Sequence, residues 1–244
     1  MKINKSKWKK HLLLKENSRV VNHLPETEVF TKVNFSKFLD KYKEIIVKPS
    51  RGSRGKNIYK VTCLGDLQYE IHHKDHKTIF TGKSDAYTYL KQKMNRRYLL
   101  QQYVDLARVE GCPTDNRVVT QKDSLGVWAV TGKVTKVAGE GFIVTNNRYS
   151  GGRVMTVSAA LKKTHLADKI NEIKKTIDKV VLEASKTLSE YYGVEQKIFG
   201  FDIGIDHNGH VWIIEANLHP MLDHFDKLKN KKMLRRIQSF HNEA

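Results

Sequence analysis

Asp202 and Glu215 stand on either side of Asn208-Gly209, inside the run FDIGIDHNGHVWIIEAN that covers residues 201–217. Asn-Gly between two apolar runs signals a β-hairpin, because both residues accept the positive φ of a two-residue turn. With Asn208 and Gly209 at the two central positions, Asp202 falls directly opposite Glu215. Opposed Cβ atoms in such a pair stand about 4.5–5.5 Å apart. Asn217, two residues past Glu215, projects from the same face. The other face carries Phe201, Ile203, Ile205, Trp212 and Ile214, the expected core stripe. Two carboxylates side by side repel unless a cation lies between them. With an amide they form an all-oxygen donor set, which suits Mg²⁺ or Mn²⁺ rather than zinc. The competing reading is a solvent-facing strand side that is merely acidic, and a longer turn would shift the register.

A second stretch, IIVKPSRGSRGKNI at residues 45–58, ends a strand at Lys48 and enters a Gly/Ser/Arg loop. Gly52 and Gly55 let backbone N–H groups approach an anion, and Ser50, Ser53 and Arg54 add donors. The pattern is a phosphate cradle but not a Walker A loop, since no Gly-Lys-Ser/Thr opens a helix. An ordinary basic turn is the alternative. A third stretch, Tyr98-Leu99-Leu100-Gln101-Gln102-Tyr103-Val104, is an apolar strand with a polar end, a natural hinge whose backbone could read an adenine edge. Arg117, after Asp115-Asn116, could meet a phosphate bidentately. A fourth stretch, FIVTNNRYSGGR at residues 142–153, gathers two Arg, two Asn and a Gly pair in one loop.

These side chains need elements to hold them. Residues 6–17 and 35–42 read as helices, 44–48, 58–62, 68–72, 77–81 and 98–104 as strands, and 84–94 as a helix capped by Ser84. Residues 117–120, 127–130 and 133–137 read as three strands. Leu166, Ile170, Ile173, Ile177, Val180, Val181 and Leu188 recur at helical spacing between residues 157 and 192. Strands 198–205 and 210–215 follow, then a last helix from about Leu222. Strands early, one long helix, then a hairpin point to α+β with two sheets.

The chain has 244 residues, enough for two lobes, with 44 Lys+Arg against 26 Asp+Glu and a net charge of +18. No apolar run approaches the ~20 residues that cross a bilayer. The basic start carries only Leu12, Leu13 and Leu14 as an apolar core, too little for a secretory signal. Cys63 and Cys112 allow neither a disulfide framework nor a four-ligand zinc site, so a reducing, cytoplasmic location is the expectation. Five of the first ten residues are Lys, and residues 227–236 hold six basic residues. Such runs are either a solvated face or a surface for an acidic substrate, an anionic polymer or nucleic acid. No RNA-reading aromatic motif or helix-turn-helix supports specific nucleic-acid readout.

Taken in order, these segments resemble the ATP-grasp superfamily from near the start to about Pro220. The opening, with Lys7-Trp8 and His23-Leu24-Pro25-Glu26-Thr27, is similar to the YheC/YheD-like proteins associated with endospore coats. The resemblance implies an α+β fold of two lobes, residues 1–100 and 101–244, whose antiparallel sheets grip ATP, without an N-terminal pre-grasp domain. The resemblance leaves that domain either absent or supplied by a partner. It also implies roles. Lys48, and Lys7 as a second candidate, would reach the α/β-phosphates, and Ser50, Gly52, Ser53, Arg54 and Gly55 would close over the β/γ end. Gln101, Gln102, Tyr103 and Val104 would form the adenine hinge, and Asn147 would belong to the Asn…Gly-Gly loop. Asp202, Glu215 and Asn217 would hold Mg²⁺. Dipeptide ligases of the superfamily place an Arg two residues before the first metal carboxylate. Gly200 stands there in this chain, so Arg117 or Arg148 would stabilise the oxyanion instead. The implied activity is an ATP-dependent carboxylate–amine ligase working through an acyl phosphate. Alternatives are a kinase that stops after phosphoryl transfer, and an ATP-regulated module binding an acidic coat protein or cell-wall polymer.

Overall fold

The computed structural model describes residues 5–52, 55–140 and 152–242. Two antiparallel sheets dominate. The first has the order β1 (Thr27–Val29), β6 (Tyr98–Gln102), β2 (Glu44–Pro49), β3 (Tyr59–Gly65), β4 (Gln68–His73), β5 (His76–Thr81). Helices α2 (Lys32–Tyr42) and α3 (Lys83–Gln92) cover one of its faces, enclosing Phe35, Leu39, Ile45, Val61, Leu90 and Leu100. Thr31 caps α2, its hydroxyl accepting from the Asn34 N–H at 3.1 Å. The N-cap of α3 is Gly82, not Ser84. The chain leaves β5 at Thr81 and enters the helix at once, so Ser84 is already in the first turn.

The second sheet has the order β10 (Arg153–Thr156), β9 (Trp128–Val137), β8 (Cys112–Lys122), β11 (Ile198–Ile205), β12 (Val211–Asn217), with β7 (Arg108–Val109) pairing to β8. Two long strands, β8 and β9, replace the three short ones expected. The turn between them is held by the Asp123 carboxylate, which accepts from the N–H groups of Leu125 and Val127. Thr131-Gly132 reads as a break, yet the strand runs through it. A Cβ on Gly132 would lie 2.7 Å from both Phe225 and Ile237, so the glycine is set by packing rather than by a turn.

One face of this sheet packs on α5 (Ile170–Tyr192), whose Ile173, Ile177, Val181 and Leu188 meet Val118, Phe199 and Phe201. Short α4 (Val157–Leu161) precedes it. The last helical region is two pieces, α6 (Asp223–Asp226) and α7 (Lys232–Asn242). They cover part of the opposite face with Phe225, Leu228 and Ile237. Helix α1 (Lys7–Lys15), although N-terminal, buries Leu14 in the core of the second sheet. It is tied to the end of β2 by the Lys7 N–H, which donates to Ser50 O at 2.8 Å.

The hairpin of β11 and β12 pairs Asp202 with Glu215 as expected, by a different route. Its loop has three residues, His207, Asn208 and Gly209. Asp206 N–H donates to His210 O at 3.0 Å, and Gly209 takes a φ of +88°. That loop moves the register by one residue, and a β-bulge that leaves Ile214 without a partner moves it back. Between loop and bulge the faces of β12 are exchanged relative to expectation. Phe201, Ile203 and Ile205 are buried as expected, but Val211 and Ile213 join them there, while Ala216, beyond the bulge, is buried opposite Phe201 in the expected register. Trp212 and Ile214 lie on the other side, half-buried, and Trp212 Nε1 donates to Asp206 Oδ2 at 2.9 Å.

Candidate nucleotide and metal site

The uncovered part of the second sheet carries the charges. Arg117 on β8 stands opposite Asp202 on β11, which stands opposite Glu215 on β12. Three neighbouring strands thus place three ionic side chains in one row. Arg117 Nε donates to Asp202 Oδ1 at 3.1 Å and Nη2 to Oδ2 at 3.2 Å. Lys136 on β9 reaches across, 3.1 Å from Asp202 Oδ1 and 2.8 Å from Asp115 Oδ1. Asn217 Nδ2 donates to Asp202 Oδ2 at 3.3 Å. Burial alone would raise the Asp202 pKa, but the charges of Arg117 and then Lys136 overcome it and hold the carboxyl well below the usual range. Lys136 is buried too, yet Asp115 and Asp202 raise its pKa, so it stays charged.

The first sheet and α1 bring cations to the same place. Lys48, at the end of β2 and 5% exposed, donates to Gln101 Oε1 at 2.8 Å and to Ile214 O at 3.1 Å. Ile214 is the bulged residue, so its carbonyl has no ladder partner. Lys7 Nζ lies 2.6 Å from Glu215 Oε1 and 2.9 Å from Gly52 O. Lys10, one turn on, donates to Ala216 O. Burial lowers the Lys48 and Lys10 ammonium pKa values to about 8, with Glu215 opposing the shift in both. His11, beside them, is pushed down to about 4 by burial and then by Lys48.

The residues expected to form a hinge, Gln101 to Val104, are engaged with neighbours on and beside the first sheet. The Gln101 amide faces Lys48 and donates to Thr27 Oγ1 at 3.0 Å. Gln102 Oε1 accepts from Glu26 N–H at 3.3 Å. The Tyr103 ring lies 3.8 Å below Lys60 Nζ, and Val104 is buried. Ser50 is buried, its N–H donating to Arg97 O at 2.9 Å, while Gly52 and Gly55 both take positive φ. Ser53, Arg54, Asn147 and Arg148 lie outside the described residues.

Among the described residues no three His, Cys, Asp or Glu side chains cluster as a metal site. The set available is two carboxylates and one amide. It fits a hard divalent cation by donor chemistry, and Glu215 already receives a cation, the Lys7 ammonium.

The pattern of the YheC/D-like ATP-grasp family matches residues 3–241. The chain belongs to this family. It is 34% identical over 242 residues to the endospore coat-associated protein YheD of Bacillus subtilis, covering 93% of this chain and 52% of that protein. To YheC of the same organism it is 25% identical, covering 88% of this chain and 59% of that one. The chain therefore spans between half and three fifths of these curated relatives. Among solved structures, the ATP-grasp ligase PsnB in complex with a phosphomimetic precursor variant, Mg and ADP superposes with a TM-score of 0.56 at 15% identity. That match covers 98% of this chain and 58% of PsnB. The ATP-grasp fold that the resemblance implied is thus the fold observed.

Within this ATP-grasp chain, Gly200 has a steric reason. A Cβ there would run into Pro220, and Arg117 Nη1 lies 3.5 Å from the same point. The guanidinium arrives from the neighbouring strand instead. Three site residues were not read from the sequence: Lys10, Lys136 and His224. Lys136 is cross-strand partner to Asp115, a pairing visible only once β8 and β9 are known to be continuous. His224 is the second residue of α6. Its Nδ1 is buried without a hydrogen-bond partner among the described residues. Burial and then the Lys136 charge push its pKa down to about 4.

Proposed function

We propose that this chain is an ATP-dependent carboxylate–amine ligase that forms an amide through an acyl phosphate and releases ADP and phosphate. The observation that carries the reading is the Arg117–Asp202–Glu215 row, with Lys48 and Lys7 from the first sheet and α1 in contact with the same hairpin. A carboxylate substrate attacks the γ-phosphorus of ATP, and an amine then displaces phosphate from the acyl carbon. Such chemistry asks the protein mainly for positioning and charge neutralisation. Lys48 and Lys7 present ammonium groups to the polyphosphate, and Gly52 and Gly55 let backbone approach it. Arg117 and Lys136, held on Asp202 and Asp115, bring positive charge to the transferred phosphoryl group. Asp202, Glu215 and Asn217 would hold Mg²⁺ or Mn²⁺, which when bound supplies further charge neutralisation at the phosphates.

The +18 charge favours acidic acceptors such as an acidic peptide, a coat protein or a cell-wall polymer. The coat association in the relatives' names supports the same class. The test is a screen of amino acids and acidic peptides with Mg-ATP, following ADP, phosphate and the organic product together. The expected outcome is ADP and phosphate in equal amounts with an amide. ADP with a phosphorylated product and no free phosphate would replace the ligase with a kinase. No turnover with any acceptor, combined with ATP-dependent polyanion binding, would replace it with a regulated binding module.

A further inference from the structure

Lys7 joins three parts of the site. Its backbone N–H donates to Ser50 O, its Nζ donates to Gly52 O at 2.9 Å, and the same Nζ lies 2.6 Å from Glu215 Oε1. The contact is well sheltered, with the two side chains 14% and 20% exposed. A divalent cation bound to a carboxylate oxygen sits at about 2.0–2.1 Å for Mg²⁺. An ammonium hydrogen-bonded to that same oxygen and such an ion repel each other and contend for the same lone pairs. Among the described residues Lys7 is ion-paired with Glu215 alone, and the neighbouring carboxylate of Asp202 is already held by Arg117 and Lys136. A free cation arriving at Glu215 would also face Lys10 and Lys48, whose charges act on the same carboxylate. A metal–nucleotide complex brings phosphate oxygens with it, and these accept the ammonium that leaves Glu215.

Building on the nucleotide reading above, we propose that Lys7 competes with the divalent cation for Glu215. The chain thereby takes up the cation together with the nucleotide and disfavours it alone. Lys7 is then a residue that selects the metal–nucleotide complex over free metal, and its contact with Gly52 O passes the exchange to the phosphate loop.

The proposal gives two effects of opposite sign from one substitution. In Lys7→Met, Mn²⁺ binding without nucleotide, followed by electron paramagnetic resonance, should tighten about tenfold or more, the scale of one charge-assisted hydrogen bond. In the same variant, calorimetry should show the Mg²⁺ complex of the non-hydrolysable analogue AMP-PNP binding about tenfold more weakly. Lys7→Arg keeps a cation and should leave Mn²⁺ binding weak. Lys9→Met removes the same charge from the same helix, where Lys9 lies over Tyr191 at 4.6 Å, and should change neither. Unchanged or weaker Mn²⁺ binding in Lys7→Met, or equal tightening in Lys9→Met, overturns the competition while leaving the nucleotide reading intact. Failure of the wild type to bind Mg-AMP-PNP overturns the nucleotide reading itself, a result the Mn²⁺ measurement does not share.

Discussion

Glu215 and Asp202 are a matched pair in register but not in surroundings. Asp202 is locked between Arg117, Lys136 and Asn217, whereas among the described residues Glu215 has the single side-chain partner Lys7. Glu215→Gln keeps size and removes the charge. ATP turnover should fall by about 10²–10³, the scale of losing one preorganised charge-stabilising group. The melting midpoint should hardly move, since the buried faces of β11 and β12 are untouched. Full turnover by this variant would remove the hairpin from the catalytic site. Asn217→Ala should cost less, because a neutral ligand contributes less charge stabilisation. Lys48 makes a pH prediction. Burial sets its pKa near 8, and bound phosphate should raise it, so nucleotide binding takes up protons at pH 8 and few at pH 6. Calorimetry in buffers of different ionisation heat reads that uptake, and Lys48→Met should reduce it. His224 should stay neutral down to about pH 4, and Lys136→Met should raise its pKa by removing a neighbouring cation, as proton magnetic resonance can follow.

At the scale of elements, the hairpin shows what patterning conveys and where it stops. The Asn-Gly signal and the apolar run located both strands, and the pairing of Asp202 with Glu215 was legible from them. The offset of a three-residue loop and its correction by the bulge at Ile214 were not, since bulges follow from packing and twist. The functional consequence is specific: the bulge leaves the carbonyl that receives Lys48. Gly132 and Gly200 make the same point. Gly132 read alone suggests a turn, and Gly200 only a gap in the motif, but each lies mid-strand where Phe225 and Ile237, or Pro220, press on the sheet. Gly200→Ala should therefore destabilise the fold by about 1–3 kcal/mol, as overpacking does. Gly200→Ala combined with Pro220→Gly should recover part of that loss. Denaturant unfolding of the single and double variants reads the coupling, and additive losses would show that Pro220 is not the obstacle.

Over the whole molecule, the excess positive charge divides into two populations that composition could not separate. Part of the N-terminal lysine run is turned inward, with Lys7 on Glu215 and Lys10 on Ala216 O. The C-terminal run is different. Helix α7 buries Ile237 against the sheet and leaves Lys232, Arg235 and Arg236 exposed. Lys5 Nζ lies 3.3 Å from His219 Nε2, just past the end of β12, so further charge gathers at the rim of the site. Exposed charges act over a Debye length of about 8 Å at physiological ionic strength. Capture of an acidic polymer should thus depend on the outward population and on salt, and catalysis on the inward one. Polyglutamate binding to the wild type should weaken steeply as salt rises. The triple change Lys232→Glu, Arg235→Glu, Arg236→Glu should weaken it further while leaving Mg-AMP-PNP affinity within about twofold, because those side chains are exposed on α7 and are not among the residues that meet Asp202 or Glu215. Lys7→Met should do the reverse, lowering nucleotide affinity with little effect on polyglutamate. If the triple variant binds polyglutamate as the wild type does, at low and at high salt, α7 is a solvated face and the acidic partner must be sought elsewhere on the molecule.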